Sequence, residues 1–423
     1  GSKRQPGSTF KILAAYAPAL DSCDKTLATT IDDEPYTLKN GQVLRNANKQ
    51  YGGTTTLREG IKRSINVVAV KLSDEITQEL GYEYCQKFGI STLVKNKTIN
   101  GKVFDDSTSQ TLALGGITEG VYNYEMCAAY ATIANGGEYN KPTLYSKVVD
   151  HDGNVLLDGT GESHTVLKDS TAYLLTSAME DVVNSGTGTA CQLDNMAVAG
   201  KTGTTQYDSD RWFCGFTPYY TSVIWAGYDD NSKELGNVVN HNVIWRTIMQ
   251  TIHENLNLPT GSYEQPSGIV EVAVCSKSGL LPVEGLCDHD PEGNCVITEY
   301  FTEDTVPTEY CTTHVKVSIC NESGDIATSG CPSVSTKIMR KKSSADKLGE
   351  DKDGSEFKTW DADISITDTE LSKLCTIHSA ATKPSKVTTG TGSNKNNSKE
   401  TTAASSETSG KTDSSGLSSN KRP

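Results

Sequence analysis

Near residue 196 the hydrophobic period of this sequence changes from that of a helix to that of a strand. Upstream, Phe10, Leu13, Ala14 and Ala17 recur at helical spacing in residues 8–17, with Pro6-Gly7 before them and Pro18 marking an end or a kink. Thr55-Thr56 with Glu59 reads as a capping-box-like start of a second helix. Helix resumes from Val67 to Ile76, which leaves Ser64-Ile65-Asn66 at the junction. Two more helices follow, Tyr122–Ala134, closed by Asn135-Gly136-Gly137, and Asp169–Val183. Between them the turn His151-Asp152-Gly153-Asn154 predicts a small hairpin of Tyr145–Val149 with Val155–Leu157. Then Met196–Thr202, Trp212–Phe216 and Ser222–Tyr228 come as short apolar runs between polar turns, before Val243–Leu256 returns to helix. Helices, a meander, then a helix is an α+β order, an antiparallel sheet flanked by helices.

Beyond about Pro266 the character shifts to Cys, Gly, Pro and short β-prone pieces such as Val270–Val274. From roughly Lys341 the chain turns charged and polar. Between Ala380 and Pro423 the only aliphatics larger than Ala are Val387 and Leu417, and there is no aromatic. Such a stretch cannot bury enough surface to offset its ordering entropy and is expected to be disordered. Three regions result: a main domain over 1–262, a Cys-rich extension over 263–340 and a largely disordered low-complexity tail over 341–423. No internal repeat is evident. A hydrophobic share of 35% over 423 residues fits a chain packed over only part of its length.

The net charge of −14 argues against a nucleic-acid binder. No apolar run approaches the ~18 residues that span a bilayer, and no signal peptide opens the chain. Seven residues precede Ser8, too few to build a scaffold before it. The chain is therefore expected to be a piece of a longer protein, with any membrane anchor in the missing part.

Twelve cysteines are present. Cys23, Cys85, Cys127, Cys191 and Cys214 stand singly, Cys127 reading as a small buried core residue on a helix. Seven more lie between Cys275 and Cys375 without a C-x-x-C pair, a cluster that in an exported protein reads as disulfides of undeducible connectivity. Cys311-Thr312-Thr313-His314 has the form of half a zinc site, with Asp288-His289-Asp290 as further ligands, but without a second Cys/His pair no metal site is expected.

Three motifs carry chemistry. Ser8-Thr9-Phe10-Lys11 is S-x-x-K at a helix start, where residues three apart share a face and the Lys11 amine reaches the Ser8 hydroxyl. A serine hydroxyl needs an adjacent base, and a lysine serves if burial or nearby cations lower its pKa. Alone, the pattern equally describes a helix cap with an exposed lysine. Ser64-Ile65-Asn66 is S-x-N at a helix break, and in isolation it is an ordinary turn. Lys201-Thr202-Gly203-Thr204 ends a strand, with a glycine that allows close backbone approach, a cation and two hydroxyls. S-x-x-K, S-x-N and K-T-G in this order form the signature of penicillin-binding proteins and serine β-lactamases.

The flanking residues resemble class A (bifunctional) penicillin-binding proteins. Arg4-Gln5-Pro6-Gly7 before Ser8, Thr55-Thr56-Leu57-Arg58-Glu59, Leu112-Ala113-Leu114-Gly115-Gly116, and Asp210-Arg211-Trp212-Phe213 after K-T-G-T-T are similar to that family's segments. The likeness covers roughly residues 3–256, and the region around Phe301-Pro307-Cys311-His314 resembles the family's C-terminal extension. The family's transpeptidase domain also has strands and a helix before the nucleophile; these, with the glycosyltransferase domain and membrane anchor, are expected in the part of the protein that precedes these residues.

The resemblance implies a cofactor-free D,D-transpeptidase on the extracytoplasmic face of a bacterial membrane, acting on D-Ala-D-Ala stem peptides and acylated by β-lactams. Ser8 would be the nucleophile and Lys11 its general base, with Ser64 relaying a proton to the leaving D-Ala and Asn66 orienting Lys11 and the substrate amide. Lys201, Thr202 and Thr204 would hold the terminal carboxylate beside Gly203, and the backbone N–H groups of Ser8 and Thr204 would bind the oxyanion. A D,D-carboxypeptidase stays open. A β-lactamase needs a base for water, and no glutamate is convincingly placed; S-Ile65-N departs from the Asp favoured there. A non-catalytic β-lactam sensor or a wall-binding scaffold is the reading from another class.

Overall fold

The computed structural model describes residues 2–378 apart from 160, 230–232, 237–239, 345, 347 and 351–355; most of the expected tail, 379–423, lies outside the described residues. A three-stranded antiparallel meander, Ala199–Thr204, Asp210–Phe216 and Thr221–Gly227, is the sheet around which the larger helices pack. Its central strand is buried almost throughout, from Asp210 to Phe216, because helices cover both faces. Asp169–Ser185 packs on the first strand and Asn123–Ala134 on the third, while His241–Asn255 lies across the other face. Strand register sets Lys201 opposite Cys214 and Gly203 opposite Trp212. This is the α+β arrangement that the change of period implies.

The helix after Ser8 is less regular than its spacing suggests. A 3₁₀ turn at Gly7–Thr9 leads through Ile12–Tyr16, which is wound as a π-helix, into an α-helix over Ala17–Ser22. Pro18 neither ends nor breaks it, because it falls in the first turn after the π segment, where a missing N–H costs little. Phe10, Leu13, Ala14 and Tyr16 are fully buried, so this helix is the axis of the main core. Cys127 lies on its expected helix but is half-buried, its thiol near the Thr221 carbonyl.

The extension docks on the main domain through a hairpin of Ile269–Cys275 with Val296–Thr302. Glu299, fully buried, accepts from Arg58 at 2.7, 2.8 and 3.0 Å, and Arg58 also donates to Asp181 at 2.9 Å. Tyr300 packs edge-on to Tyr173 beside this pair. A second sheet follows, with His314–Cys320 antiparallel to Val334–Lys342 and Ser365–Thr367 parallel to the latter. Ordered chain therefore runs past the expected boundary at 340: Ile366 is buried, and Thr367 and Glu370 form a reciprocal capping box for Asp368–Ser372.

The cysteines depart from the disulfide reading. Among the described residues none is disulfide-bonded. Six of the seven between Cys275 and Cys375 instead gather in two sets, Cys275, Cys287 and Cys311 with His314, and Cys320, Cys331 and Cys375 with His378. The second Cys-x-x-His pair, Cys375-Thr376-Ile377-His378, is plain in the sequence but lies in the stretch read as disordered.

Candidate active site

The helix Leu57–Lys62 begins with Thr56 Oγ1 accepting from the Glu59 N–H at 3.3 Å. The Glu59 side chain does not complete the box; it pairs forward with Lys62 and Arg63. The helix ends in a Schellman motif, with Ile65 N–H bonded to the Gly60 carbonyl and Ser64 N–H to that of Ile61. Ser64 fills the position that usually takes glycine, at φ +57°. A non-glycine residue there stores strain of order 1–3 kcal/mol and is held only by its surroundings. What holds it is two lysines.

Lys11 Nζ donates to the Ser64 carbonyl at 2.7 Å, to Asn66 Oδ1 at 2.6 Å and to Ser64 Oγ at 3.3 Å. Lys201 Nζ donates to Ser64 Oγ at 2.7 Å and to the Thr202 carbonyl at 3.1 Å. Both lysines are fully buried. Burial, and then the charge of Lys201, hold the Lys11 amine well below the ordinary lysine range. Burial alone brings Lys201 down to about 7. Neutral amines are available near neutral pH, as proton transfer requires.

Asn66 is fixed from behind. Its N–H and that of Val67 donate to Asn46 Oδ1, and its Nδ2 donates to the Arg45 carbonyl at 2.9 Å. Asn46 is anchored on buried Asp33 at 2.7 Å. An asparagine from a distant loop thus caps the helix Asn66–Ile76 and leaves Asn66 Oδ1 free to accept from Lys11.

Three glycines allow the turn before Ser8 to seat on the sheet. A Cβ on Gly7, at φ +54°, would lie 2.7 Å from the Thr204 carbonyl oxygen, and one on Gly203 would lie 2.7 Å from that of Pro6. A Cβ on Gly115 would lie 2.4 Å from the Gly7 carbonyl oxygen. The Leu-Ala-Leu-Gly-Gly segment is thus the floor under the nucleophile turn. Gln5 clips it at the side, its amide bonded both ways to Ile117, and Trp212 Nε1 donates to the Gln5 carbonyl at 2.8 Å.

Ser8, Ser64, Asn66, Thr202 and Thr204 line one open cleft of ≈ 1100 Å³. Lys11 and Lys201 stand behind its wall. The sequence motifs therefore converge, and the Lys201 amine faces the Ser64 hydroxyl. Thr187, which sequence reasoning missed, shares a 2.6 Å hydrogen bond with Thr202 Oγ1 at the cleft edge. The Ser185-Gly186-Thr187-Gly188-Thr189 turn after a helix was the available signal. Among the described residues no helix is long and apolar enough to cross a membrane.

Residues 2–250 match the family model described as the penicillin binding protein transpeptidase domain, and residues 265–316 that of the penicillin-binding protein 1A C-terminal domain. Penicillin-binding protein 1A of Clostridium botulinum is 36% identical over 341 residues, covering 78% of this chain and 40% of that protein. The chain thus spans about two-fifths of the length of that relative. Among solved structures, penicillin-binding protein 1A from Haemophilus influenzae shares the fold with a TM-score of 0.58 at 24% identity, over 73% of this chain and 49% of that one. The PonA1 protein from Mycobacterium tuberculosis, solved in complex with penicillin V, has a TM-score of 0.53 at 25% identity, over 63% of this chain and 72% of that one. With 249 consecutive residues matched and the three motifs gathered at one cleft, the chain belongs to the penicillin-binding protein transpeptidase family.

Proposed function

We propose that this chain is the transpeptidase part of an enzyme that cross-links peptidoglycan through an acyl-serine intermediate. The observation that carries the reading is the convergence of two buried, low-pKa lysines on Ser64 at the wall of the cleft that Ser8 lines. Ser8 attacks the carbonyl carbon of the penultimate D-Ala of a stem peptide and gives its proton to neutral Lys11, one helical turn away. The tetrahedral oxyanion takes the N–H groups of Ser8 and Thr204, whose backbones the Gly7–Thr204 packing brings together. Collapse breaks the amide bond, and the leaving D-Ala nitrogen takes a proton from Ser64 Oγ, which is resupplied by the lysines bonded to it. An acceptor amine reverses these steps, loses its proton to the same relay and frees Ser8.

The terminal carboxylate is held by the hydroxyls of Thr202 and Thr204, which line the cleft, with Lys201 behind them. Asn66 holds Lys11 and offers its amide to the substrate. A β-lactam acylates Ser8 by the same route. The parent protein works on the extracytoplasmic face of the membrane. Incubation with a D-Ala-D-Ala stem peptide and an amine acceptor, read by mass spectrometry, tests the reaction: released D-Ala with acceptor-linked peptide supports it. Release of D-Ala with hydrolysed peptide alone, acceptor in excess, would make the chain a carboxypeptidase.

A further inference from the structure

We propose that the extension carries two structural Zn²⁺ sites, one held by Cys275, Cys287, Cys311 and His314 and the other by Cys320, Cys331, Cys375 and His378. Within each set the four ligand atoms lie within 4.8 Å of one another. His314 Nδ1 is 3.5 Å from Cys275 Sγ and 3.4 Å from Cys311 Sγ; His378 Nδ1 is 3.4 Å from Cys320 Sγ and 3.2 Å from Cys375 Sγ. Tetrahedral zinc with Zn–S of about 2.3 Å and Zn–N of about 2.0 Å separates S from N by about 3.5 Å. Sulfur and nitrogen ligands in a closed set of four select zinc over hard cations.

Each histidine turns its other nitrogen to a carboxylate, His314 Nε2 to Asp290 at 2.8 Å and His378 Nε2 to Glu322 at 3.0 Å. Asp290 is buried and held by Arg340 through two bonds of 2.6 and 2.7 Å. Such an outer carboxylate fixes the tautomer that leaves Nδ1 free to ligate. Disulfides account for none of this, and three cysteines per set would always leave one thiol over.

The two sets are also built alike, a repeat hidden by low identity. Cys275-x-x-Ser278-Gly279 matches Cys320-x-x-Ser323-Gly324. Gly279 N–H bonds the Cys275 carbonyl as Gly324 does that of Cys320, and Cys311 N–H bonds Leu281 as Cys375 does Ile326. The second cysteine of each set accepts a backbone N–H on sulfur, Val283 to Cys287 at 3.3 Å and Thr328 to Cys331 at 3.2 Å. The strand His314–Cys320 carries a ligand of one site at its start and of the other at its end, about 20 Å apart, so these are two sites rather than one cluster. Ligand cysteines also make up much of the local packing: Cys275, Cys287 and Cys311 are buried in one cluster with Cys295, and Cys320 and Cys375 in another with Ala327, beside the aliphatic cluster of Val315, Val317, Ile326 and Ile366. Binding at each site releases three thiol protons to solvent and leaves the histidine neutral, and the binding free energy adds to that of folding.

The test is elemental analysis of the purified full chain, with Co²⁺ reconstitution of reduced, metal-free protein. Two zinc per chain and intense thiolate-to-cobalt absorption at two equivalents are expected. Cys311→Ser and Cys375→Ser should each fall to one, and Cys295→Ser should keep two. A reduced, folded wild-type chain that takes up no metal overturns the proposal without reliance on any variant. One metal per chain overturns the site whose variant leaves that count unchanged, and loss on Cys295→Ser overturns the ligand set.

Discussion

Replacing Gly203 with alanine asks directly how the nucleophile is held. A Cβ at Gly203 would meet the Pro6 carbonyl oxygen at 2.7 Å and Thr9 Cγ2 at 2.8 Å, and ordinary contact begins near 3.4 Å, so the shortfall toward Pro6 is about 0.7 Å. The backbone of Gly203 is outside the left-handed region, so alanine adopts it freely and the penalty is packing alone. Pro6 O cannot rotate aside, being main chain two residues before Ser8. Relief therefore moves the Ser8 turn away from the K-T-G strand. Overpacking of this kind costs about 1–3 kcal/mol of stability. A misplacement on the order of 1 Å costs roughly 10²-fold in rate, so the second-order rate of acylation by a fluorescent penicillin should fall about 10- to 100-fold. Gly137→Ala is the control: its Cβ would press on the Leu167 carbonyl at 2.2 Å, and neither residue lines the cleft. It should lose stability and keep the acylation rate of the folded fraction. A folded Gly203→Ala chain acylated at the wild-type rate would refute the claim that this strand positions Ser8.

Burial depresses Lys11 as it does Lys201, so acylation should rise with pH through the lowered pKa of Lys11, because the neutral amine that takes the Ser8 proton dominates above it; a flat rate from pH 5 to 9 would count against Lys11 as the base. The same depression makes the unfolded chain bind more protons than the folded one between about 7 and 10.5, so stability from Lys201 should increase with pH across that window and urea midpoints should track it. Arg58→Met strands the Glu299 carboxylate, fully buried, and should cost about 3–5 kcal/mol in urea unfolding. Glu299→Gln leaves Arg58 its bond to Asp181 and should cost clearly less; the reverse order would show that the extension is not docked through this pair.

The sequence shows the site better than it shows its support. Ser8, Lys11, Ser64, Asn66 and Lys201 sit in short motifs whose local frame, a helix start, a helix break and a strand end, follows from period and capping. The seating of Gly7 on Gly115 and Thr204, and the capping of Asn66 by Asn46, join segments far apart in the chain, and spacing cannot reveal them. Lys201 lies behind the cleft wall because strand register, not motif identity, decides which way a side chain faces. Between residues 341 and 378 the structure adds elements that the polar composition does not show, for a different reason. Hydropathy averaged over a polar stretch does not show where its few apolar residues meet partners from earlier in the chain: Ile366 packs with Val315, Val317 and Ile326, and Cys375 with Cys320 and Ala327.

Intact-mass analysis after exposure to penicillin, beside Ser8→Ala, tests the central claim most directly. A single adduct that persists on the wild-type chain, maps to Ser8 and is absent from the mutant is the predicted result. An adduct of equal yield on folded Ser8→Ala, or none on folded wild-type protein, would contradict the assignment of Ser8 as the acylated nucleophile.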